Sequence, residues 1–391
     1  MQIAELRLVN FRSYEDTRVS FSPGLNVIVG RNASGKTNLL EGAYFALRAA
    51  SCRTNREEKA VRWGAPFTRI EATLEVAPPG GGGTGATLPG QETAATRRRA
   101  VSVAYSPGQG KQVRLDGAEV ASLDELRRQG GVFVFVPESL LLVKGSPARR
   151  RTHFDAFAAG VDPAYATALR DLQEALRQRN AQLARVRERG DPASLDPWDR
   201  QVARTGLDLT VRRRSLVSAL AGRFTEYAAA LAPDGGVFEL ALITQLDEID
   251  DSEEAFVAAL VSRRRGDVAR AVTCFGPQRD DLRLAEVRGA DDGELPLRDL
   301  RLFGSQGEQR AAVLALLLAE RAVAAELTGD FGTLLLDDVM SELDDARRRL
   351  LVRTLSAGGQ AIVTTTNRHY FTDDELAGAH VVSLGPGASD E

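Results

Sequence analysis

The stretch GRNASGKT, Gly30 to Thr37, decides how this chain is read. It follows the apolar run Leu25-Asn26-Val27-Ile28-Val29 and opens a segment with helical spacing at Leu39, Leu40, Ala43 and Leu47. Strand, glycine-rich turn and helix start are the setting in which G-x-x-x-x-G-K-[ST] is a phosphate-binding loop. Gly30 and Gly35 let the backbone wrap closely, so that N–H groups across Arg31, Asn32, Ala33 and Ser34 point at a phosphate. The helix starting near Lys36 adds its positive end. Lys36 reaches the outer phosphates and the Thr37 hydroxyl is placed to ligate magnesium. The competing reading is a surface turn with a chance lysine. With only four lysines (36, 59, 111 and 144) in 391 residues, chance is a poor account.

Outward from this loop, a second signal is TLLLDDVMSELD, 333–344. An apolar strand ending in Asp337-Asp338 puts two carboxylates at a sheet edge, facing the loop if the sheet is shared. Asp337 is then the magnesium acid and Asp338 the base or orienter for an attacking water. A strand end followed by an acidic helix cap is the bland alternative. The third signal is LFGSQGEQR, 302–310, ahead of an apolar helix. Ser305 and Gly307 make a second phosphate-binding helix start. One loop has no use for two such ends on one phosphate, so this end is expected to meet nucleotide held by another copy of the chain. A capped core helix is the alternative.

The frame is a chain of 391 residues, 43% hydrophobic, with net charge −4. That suggests two or three domains with real cores and gives no whole-molecule bias toward nucleic acid. Cys52 and Cys274 stand far apart with no C-x-x-C, so neither a disulfide framework nor a zinc site is indicated. The N-terminus alternates apolar and charged residues, and no apolar run approaches membrane-spanning length; a soluble cytoplasmic chain is expected.

In order, residues 3–9 and 17–21 alternate as a strand pair around NFRSYED (10–16), and 51–61 is a polar loop leading into a short helix. Strands follow at 68–76, 97–105, 112–115 and 132–136, with Ser122 and Glu125 forming a capping box for a short helix. The Gly/Pro/Thr-rich stretch 78–96 is expected to be a mobile excursion. Three helices are expected between about 147 and 232. One carries Leu169, Leu172, Leu176, Leu183 and Val186, with Arg179 where a seam residue is missing. The next carries Val202, Leu209, Leu216, Leu220, Phe224 and Leu231. The breaker GDPASLDP (190–197) makes them an antiparallel pair. A strand at 237–244 and a helix capped by Ser252, running to about Val272, close the insertion. Strands at 282–287 and 295–297 around an Asp-Asp-Gly turn, a helix 308–327, and strands at 333–336, 361–365 and 380–384 return to α/β alternation.

The three phosphate motifs together resemble ABC-type ATPases. NFRSYED, the loop with NLLEGAYFALRAASCRT, FVPESLLLVKGSPARRR, GPQRDDL, FGSQGEQR and LLLDDVMSELD, in order from residue 10 to 344, resemble successive motifs of the RecF family of bacterial recombination and repair proteins. Gln278 departs from the histidine usual in GPQRDDL. The resemblance implies an α/β fold, an ABC-ATPase head whose P-loop mixed sheet and helices occupy 1–140 and 273–391, carrying an inserted α-helical arm at 141–272, related to SMC heads without their long coiled coil. It implies ATP and Mg2+ as cofactors and weak hydrolysis that times release of a head-to-tail homodimer. It also implies binding to double-stranded and gapped DNA, and action with RecR and RecO to load RecA. Ser305, Gln306 and Gly307 form the signature that works in trans, and Asp344 falls in the interface loop. Thr364–Thr366 occupies the switch position, with Thr365 at its centre; the resemblance does not single out one hydroxyl. Arg12 has two readings, phosphate contact or a surface-loop arginine.

Support for DNA contact is a surplus of basic residues at 144–232, 16 Lys/Arg against 10 Asp/Glu. Its clusters are Arg149-Arg150-Arg151 and Arg212-Arg213-Arg214. A solvated helix face is the competing reading. Few aromatics interleave and no base-reading motif is visible, which favours sequence-independent binding. Two other classes are a small-molecule kinase, against which the signature acting in trans argues, and a transporter nucleotide-binding subunit. The subunit places its signature about 100 residues after the loop, whereas Lys36 and Ser305 are 269 apart in sequence.

Overall fold

The computed structural model describes residues 1–76, 96–127, 129–232, 236–287 and 297–384. The glycine-rich stretch 78–96, save residue 96, and the Asp-Asp-Gly turn near 291–293 lie outside the described residues. The chain divides into two compact units, Met1–Leu140 with Leu317–Glu391, and Leu141–Leu316.

The first unit holds two sheets. β1 (Gln2–Phe11), β2 (Tyr14–Ser20), β4 (Thr68–Val76), β5 (Arg97–Ser106), β6 (Gly110–Leu115) and β7 (Ala118–Glu119) form an antiparallel sheet in the order β2-β1-β4-β5-β6-β7. β3 (Leu25–Gly30), β8 (Val132–Phe135), β12 (Thr333–Leu336), β13 (Gln360–Thr365) and β14 (His380–Leu384) form a parallel sheet, order β14-β3-β13-β12-β8. The inner strand β12 and the middle of β13 are continuous apolar runs, as strands covered on both faces must be; Leu334, Leu335, Leu336, Ala361, Ile362 and Val363 are fully buried. α1 (Lys36–Arg48) contacts strands of both sheets, and its Leu39, Leu40, Ala43, Phe45, Ala46 and Leu47 are all buried. A helix apolar nearly all round is one packed on several sides. Gly42 allows the approach to β1, where a Cβ would meet Leu8 Cδ2 at 2.6 Å. α2 (Leu123–Arg127), α10 (Asp345–Ser356) and α11 (Asp373–Ala377) complete this unit.

The second unit contains α3 (Leu141–Lys144), α4 (Pro147–Val161), α5 (Pro163–Arg189), α6 (Asp196–Leu231), α7 (Glu253–Arg270), α8 (Leu300–Phe303) and a sheet β11-β10-β9 of β9 (Val237–Ile243), β10 (Asp281–Val287) and β11 (Leu297–Asp299). α9 (Gln306–Thr328) contains the division point. The sequence closes the helical insertion at 272, but this unit runs on to Leu316. The reason is β9 and β10: they pair antiparallel from Val237↔Val287 to Ile243↔Asp281 and bind the segment after 272 to the helices.

The gap in the α5 seam has a physical explanation. Arg179 is fully buried and its guanidinium binds Asp199 of α6 at 2.7 Å, Asp267 of α7 at 2.7 Å and Thr273 at 2.8 Å. Asp199 also accepts from Arg264 Nε at 2.7 Å. Three helices therefore meet through charge at a position where an antiparallel pair alone would put leucine.

A phosphate-binding edge and its paired acids

Three adjacent parallel strands deliver the candidate site. β3 ends at Gly30, β13 at Thr365, and Asp337 follows β12. The register sets Thr364 beside Ile28 and Leu336 beside Val363, so the three chain ends reach the same carboxyl edge of the sheet. In open α/β sheets that edge is where ligands bind.

Lys36 is 7% exposed. Its ammonium donates to the carbonyls of Gly30 (2.7 Å) and Arg31 (3.0 Å). Burial lowers its pKa, and the carboxylates of Asp338 and Asp337 oppose that shift. Gly35 sits at φ +100 and Ala33 at +65, left-handed conformations that a tight wrap demands. A Cβ on Gly30 would come 2.4 Å from Ser34 Oγ and 3.0 Å from the Leu384 carbonyl, so the loop is a cradle a side chain would fill. Ser34 Oγ is buried with no hydrogen-bond partner among the described residues. Arg31, Asn32 and Ala33 are exposed at the rim.

The Thr37 hydroxyl lies 3.0 and 2.9 Å from the two oxygens of Asp337. Thr364 donates to Asp337 Oδ1 at 2.7 Å and accepts from the Asp338 N–H at 3.0 Å. One buried hydroxyl thus ties both acids together. Thr365, the middle threonine of the sequence motif, does not join them. Its hydroxyl is engaged with the Asn367 backbone at 3.1 and 3.2 Å, because successive strand residues face opposite ways. Asp338 is held at φ +47, a strained conformation for a residue with a Cβ. The Thr37 hydroxyl and Asp337 carboxylate form an all-oxygen set, the chemistry that a hard divalent cation such as magnesium takes. With water and phosphate completing its shell, such an ion needs only one or two protein ligands, so the residues present fit it.

A clasp on the loop's helix was not visible in the sequence. Arg12, Ser13 and Tyr14, consecutive at the β1–β2 turn, meet Glu41, Asn38 and Gly35, which lie three apart along α1. Arg12 makes a two-pronged bond to Glu41 at 2.9 and 2.6 Å, and Asn38 donates to Ser13 at 2.9 Å. Tyr14 donates to the Gly35 carbonyl at 3.1 Å. Glu41 is fully buried and also accepts from Ser51. Arg12 is therefore neither a loose surface residue nor a free phosphate ligand; Glu41 holds it.

The other motif residues lie elsewhere. Ser305, Gln306 and Gly307 are exposed in the second unit at the start of α9. Ser305 and Glu308 form a reciprocal cap, with Glu308 N donating to Ser305 Oγ at 3.2 Å and Ser305 N to Glu308 Oε2 at 2.6 Å. Burial pushes the Glu308 carboxyl up, but Ser305 and Arg298 more than offset it and the net shift is downward. Asp344 is exposed and caps α10 through the Arg347 N–H at 2.9 Å. Gln278 donates to the carbonyls of Phe275 (2.9 Å) and Thr273 (3.3 Å), bracing the turn before β10.

The arginine triplets are corrected most. Arg150 is buried in a two-pronged pair with Asp281 at 2.7 Å. Arg213 is buried among Asp280 (2.7 Å), Asp155 (2.8 Å) and the Tyr165 hydroxyl (3.1 Å). Arg151 donates to the Asp280 carbonyl at 2.5 Å, and burial and Arg213 lower its pKa. Arg214 binds Asp247 at 2.7 Å and Asp251 at 2.8 Å, and Arg212 pairs with Asp208 at 3.1 Å. Only Arg149 of the six is exposed with no ion pair among the described residues. Arg150, Arg212, Arg213 and Arg214 are paired with acids of their own unit and Arg151 is spent on a backbone carbonyl, so the triplets are no open phosphate-binding patch.

Sheet order, loop and paired acids define an ATPase head of the ABC type. The family described as the RecF/RecN/SMC N-terminal domain matches residues 2–382. DNA replication and repair protein RecF of Heliobacterium modesticaldum is 34% identical over 99% of this chain and 98% of its own. That of Halalkalibacterium halodurans is 35% identical over 99% of each. The chain belongs to the RecF family. A solved structure described as the recombination mediator protein RecF with ATP, in the RecFOR pathway, matches with TM-score 0.74 and 25% identity over 95% of this chain and 93% of that one. An Smc head bound to the C-terminal winged-helix domain of ScpA shares the fold, with TM-score 0.56 and 19% identity over 97% of this chain and 93% of that one.

Proposed function

We propose that this chain is an ATP-dependent DNA-binding protein of recombinational repair and replication, whose ATP-bound form is a head-to-tail homodimer and whose slow, DNA-stimulated hydrolysis releases it. The observation that carries this is the meeting of Lys36, Thr37, Asp337, Thr364 and Asp338 at one sheet edge. The likeness to solved RecF chains, one of them described as carrying ATP, supports it.

In this reading Lys36 exchanges the two loop carbonyls for outer phosphate oxygens. Thr37 and Asp337 hold magnesium, which supplies charge neutralisation on the phosphates when bound. Asp338 orients the attacking water and accepts its proton. Thr364 keeps the Asp337 carboxylate and the Asp338 backbone in place, the part the family resemblance leaves open at 364–366. Ser305, Gln306 and Gly307, exposed at a helix start, contact nucleotide held by a second copy, and Asp344 belongs to the same interface. The partners are double-stranded and gapped DNA, and RecR with RecO for the loading of RecA; the setting is the cytoplasm. The separation of 269 residues between Lys36 and Ser305 counts against the transporter-subunit reading.

The test is Lys36→Met. Light scattering with ATP and magnesium is expected to show the unmodified chain doubling in mass and the variant remaining single. Dimerisation unaffected by the substitution would sink the proposal.

A further inference from the structure

We infer that the far end of the helical hairpin, where α5 turns into α6 against the last turns of α7, is a docking surface for the phosphate backbone of duplex DNA. This rests on the DNA-binding reading above and names the surface that performs it.

The placement comes from interactions within the second unit. Gln182 on α5 binds Ser194 in the connecting turn at 2.7 Å. Leu183, Val186 and Leu195 form a small core against Val268 of α7. Arg264 reaches Asp196 and Asp199, and Arg179 reaches Asp199 and Asp267. The end of α5, the start of α6 and the end of α7 are therefore one packed body.

Cations outnumber acids on the outside of this body. Three of its carboxylates, Asp196, Asp199 and Asp267, are engaged by Arg179 and Arg264. Asp191 caps the turn through the Ala193 N–H at 2.9 Å. The outside carries Arg185 and Arg187 on α5, Arg200 and Arg204 on α6, and Arg265 and Arg270 on α7. All six are exposed, and none has an ion pair among the described residues. Glu188, Asp191 and Asp196 are the exposed acids beside them, Asp196 engaged by Arg264. In a chain of net charge −4, six exposed arginines without ion pairs among the described residues, against three exposed acids, make this end of the unit cationic. The arginine triplets show the reverse arrangement.

The chemistry fits a polyanion with closely and regularly spaced charges. Six guanidinium groups on three helices suit a phosphate backbone bound without regard to sequence. Trp198 at the start of α6 is the one aromatic among the described residues of these turns and is half-buried; a single ring makes no platform for successive bases, which sets single-stranded DNA behind duplex.

The test uses the full chain with ATP and magnesium and a fluorescein-labelled duplex, followed by anisotropy over a series of salt concentrations. The variant carries Arg185→Gln, Arg187→Gln, Arg200→Gln and Arg204→Gln together. Each phosphate left without its cation should lower the slope of log affinity against log salt by ~0.9, so two to four such phosphates give a drop of about 2 to 4 and affinity at least ~10-fold weaker at low salt. Replacing the same four residues with lysine should restore most of the slope, because a point charge still meets a phosphate. ATP binding by the glutamine variant should match the unmodified chain, showing that the head is intact. An unchanged slope in that variant overturns the inference while leaving the DNA-binding reading standing. Failure of the unmodified chain to bind any duplex overturns both. Capture of poly-glutamate in preference to duplex would assign the surface to an acidic protein and also overturn the inference.

Discussion

Two charged centres in this molecule are built to opposite plans. At the sheet edge, Lys36 rests on loop carbonyls, Ser34 Oγ is buried without a partner among the described residues, and Asp338 is held in a left-handed conformation. In the helical unit, Arg179, Arg150 and Arg213 are each locked against carboxylates in the dry interior. The first arrangement keeps interaction energy in reserve for a ligand. The second uses like residue types to fix helices, each arginine facing carboxylates of its own unit. Residue type and clustering therefore do not separate a site from a scaffold; whether opposite charges already face each other does.

The largest effect that could break this contrast is at Arg179. Arg179→Met leaves Asp267 buried without its cation and Asp199 with Arg264 alone, and a loss of ~3–5 kcal/mol is expected from urea unfolding. A loss below about 1 kcal/mol would show that water relieves the network and that it is no scaffold. Next come the two threonines. Thr364→Val should lower ATP turnover by about 10- to 100-fold, as removal of a partner that orients a metal-binding acid does. Thr365→Val should leave turnover within about twofold; equal effects would remove the distinction drawn from strand alternation.

Smaller still is Tyr14→Phe, which deletes the bond to the Gly35 carbonyl at a cost of ~1 kcal/mol. Burial pushes the Tyr14 hydroxyl up to about 12. Its neutral form is thus favoured on folding, and its contribution is fully present below the ordinary tyrosine value of about 10. That contribution is lost as pH rises through about 12. Thermal unfolding should show the unmodified chain losing more stability than the phenylalanine variant across that alkaline window. The smallest effect belongs to Arg149→Gln, within about 0.5 kcal/mol of the unmodified chain, whereas its neighbour Arg150→Gln should cost several times more. Paired melting curves would expose any similarity between the two.

The legible parts of the sequence were those whose meaning is local. The loop Gly30–Thr37 and the acids after 333–336 carry their strand and helix contexts with them, and the structure brings them together as that context implies. The arginines failed because their partners are distant: Asp281 is 131 residues from Arg150 and Asp280 is 67 from Arg213. No window of sequence shows such a neutralisation. Arg179 did leave a trace, a cation in an apolar seam, which signals a buried counter-ion when the helix is otherwise regular. The choice between Thr364 and Thr365 depended on strand phase, which β13's uniformly buried residues conceal. The clasp had a faint signature in Gly35, Asn38 and Glu41 at intervals of three, legible only once a facing turn is known.

Asp338 carries a consequence beyond catalysis. Glycine would occupy φ +47 without penalty, so Asp338→Gly relieves about 1 kcal/mol or more of backbone strain while removing the carboxylate. Directed evolution toward heat resistance alone should therefore discard this aspartate early, and only competition for turnover should keep it.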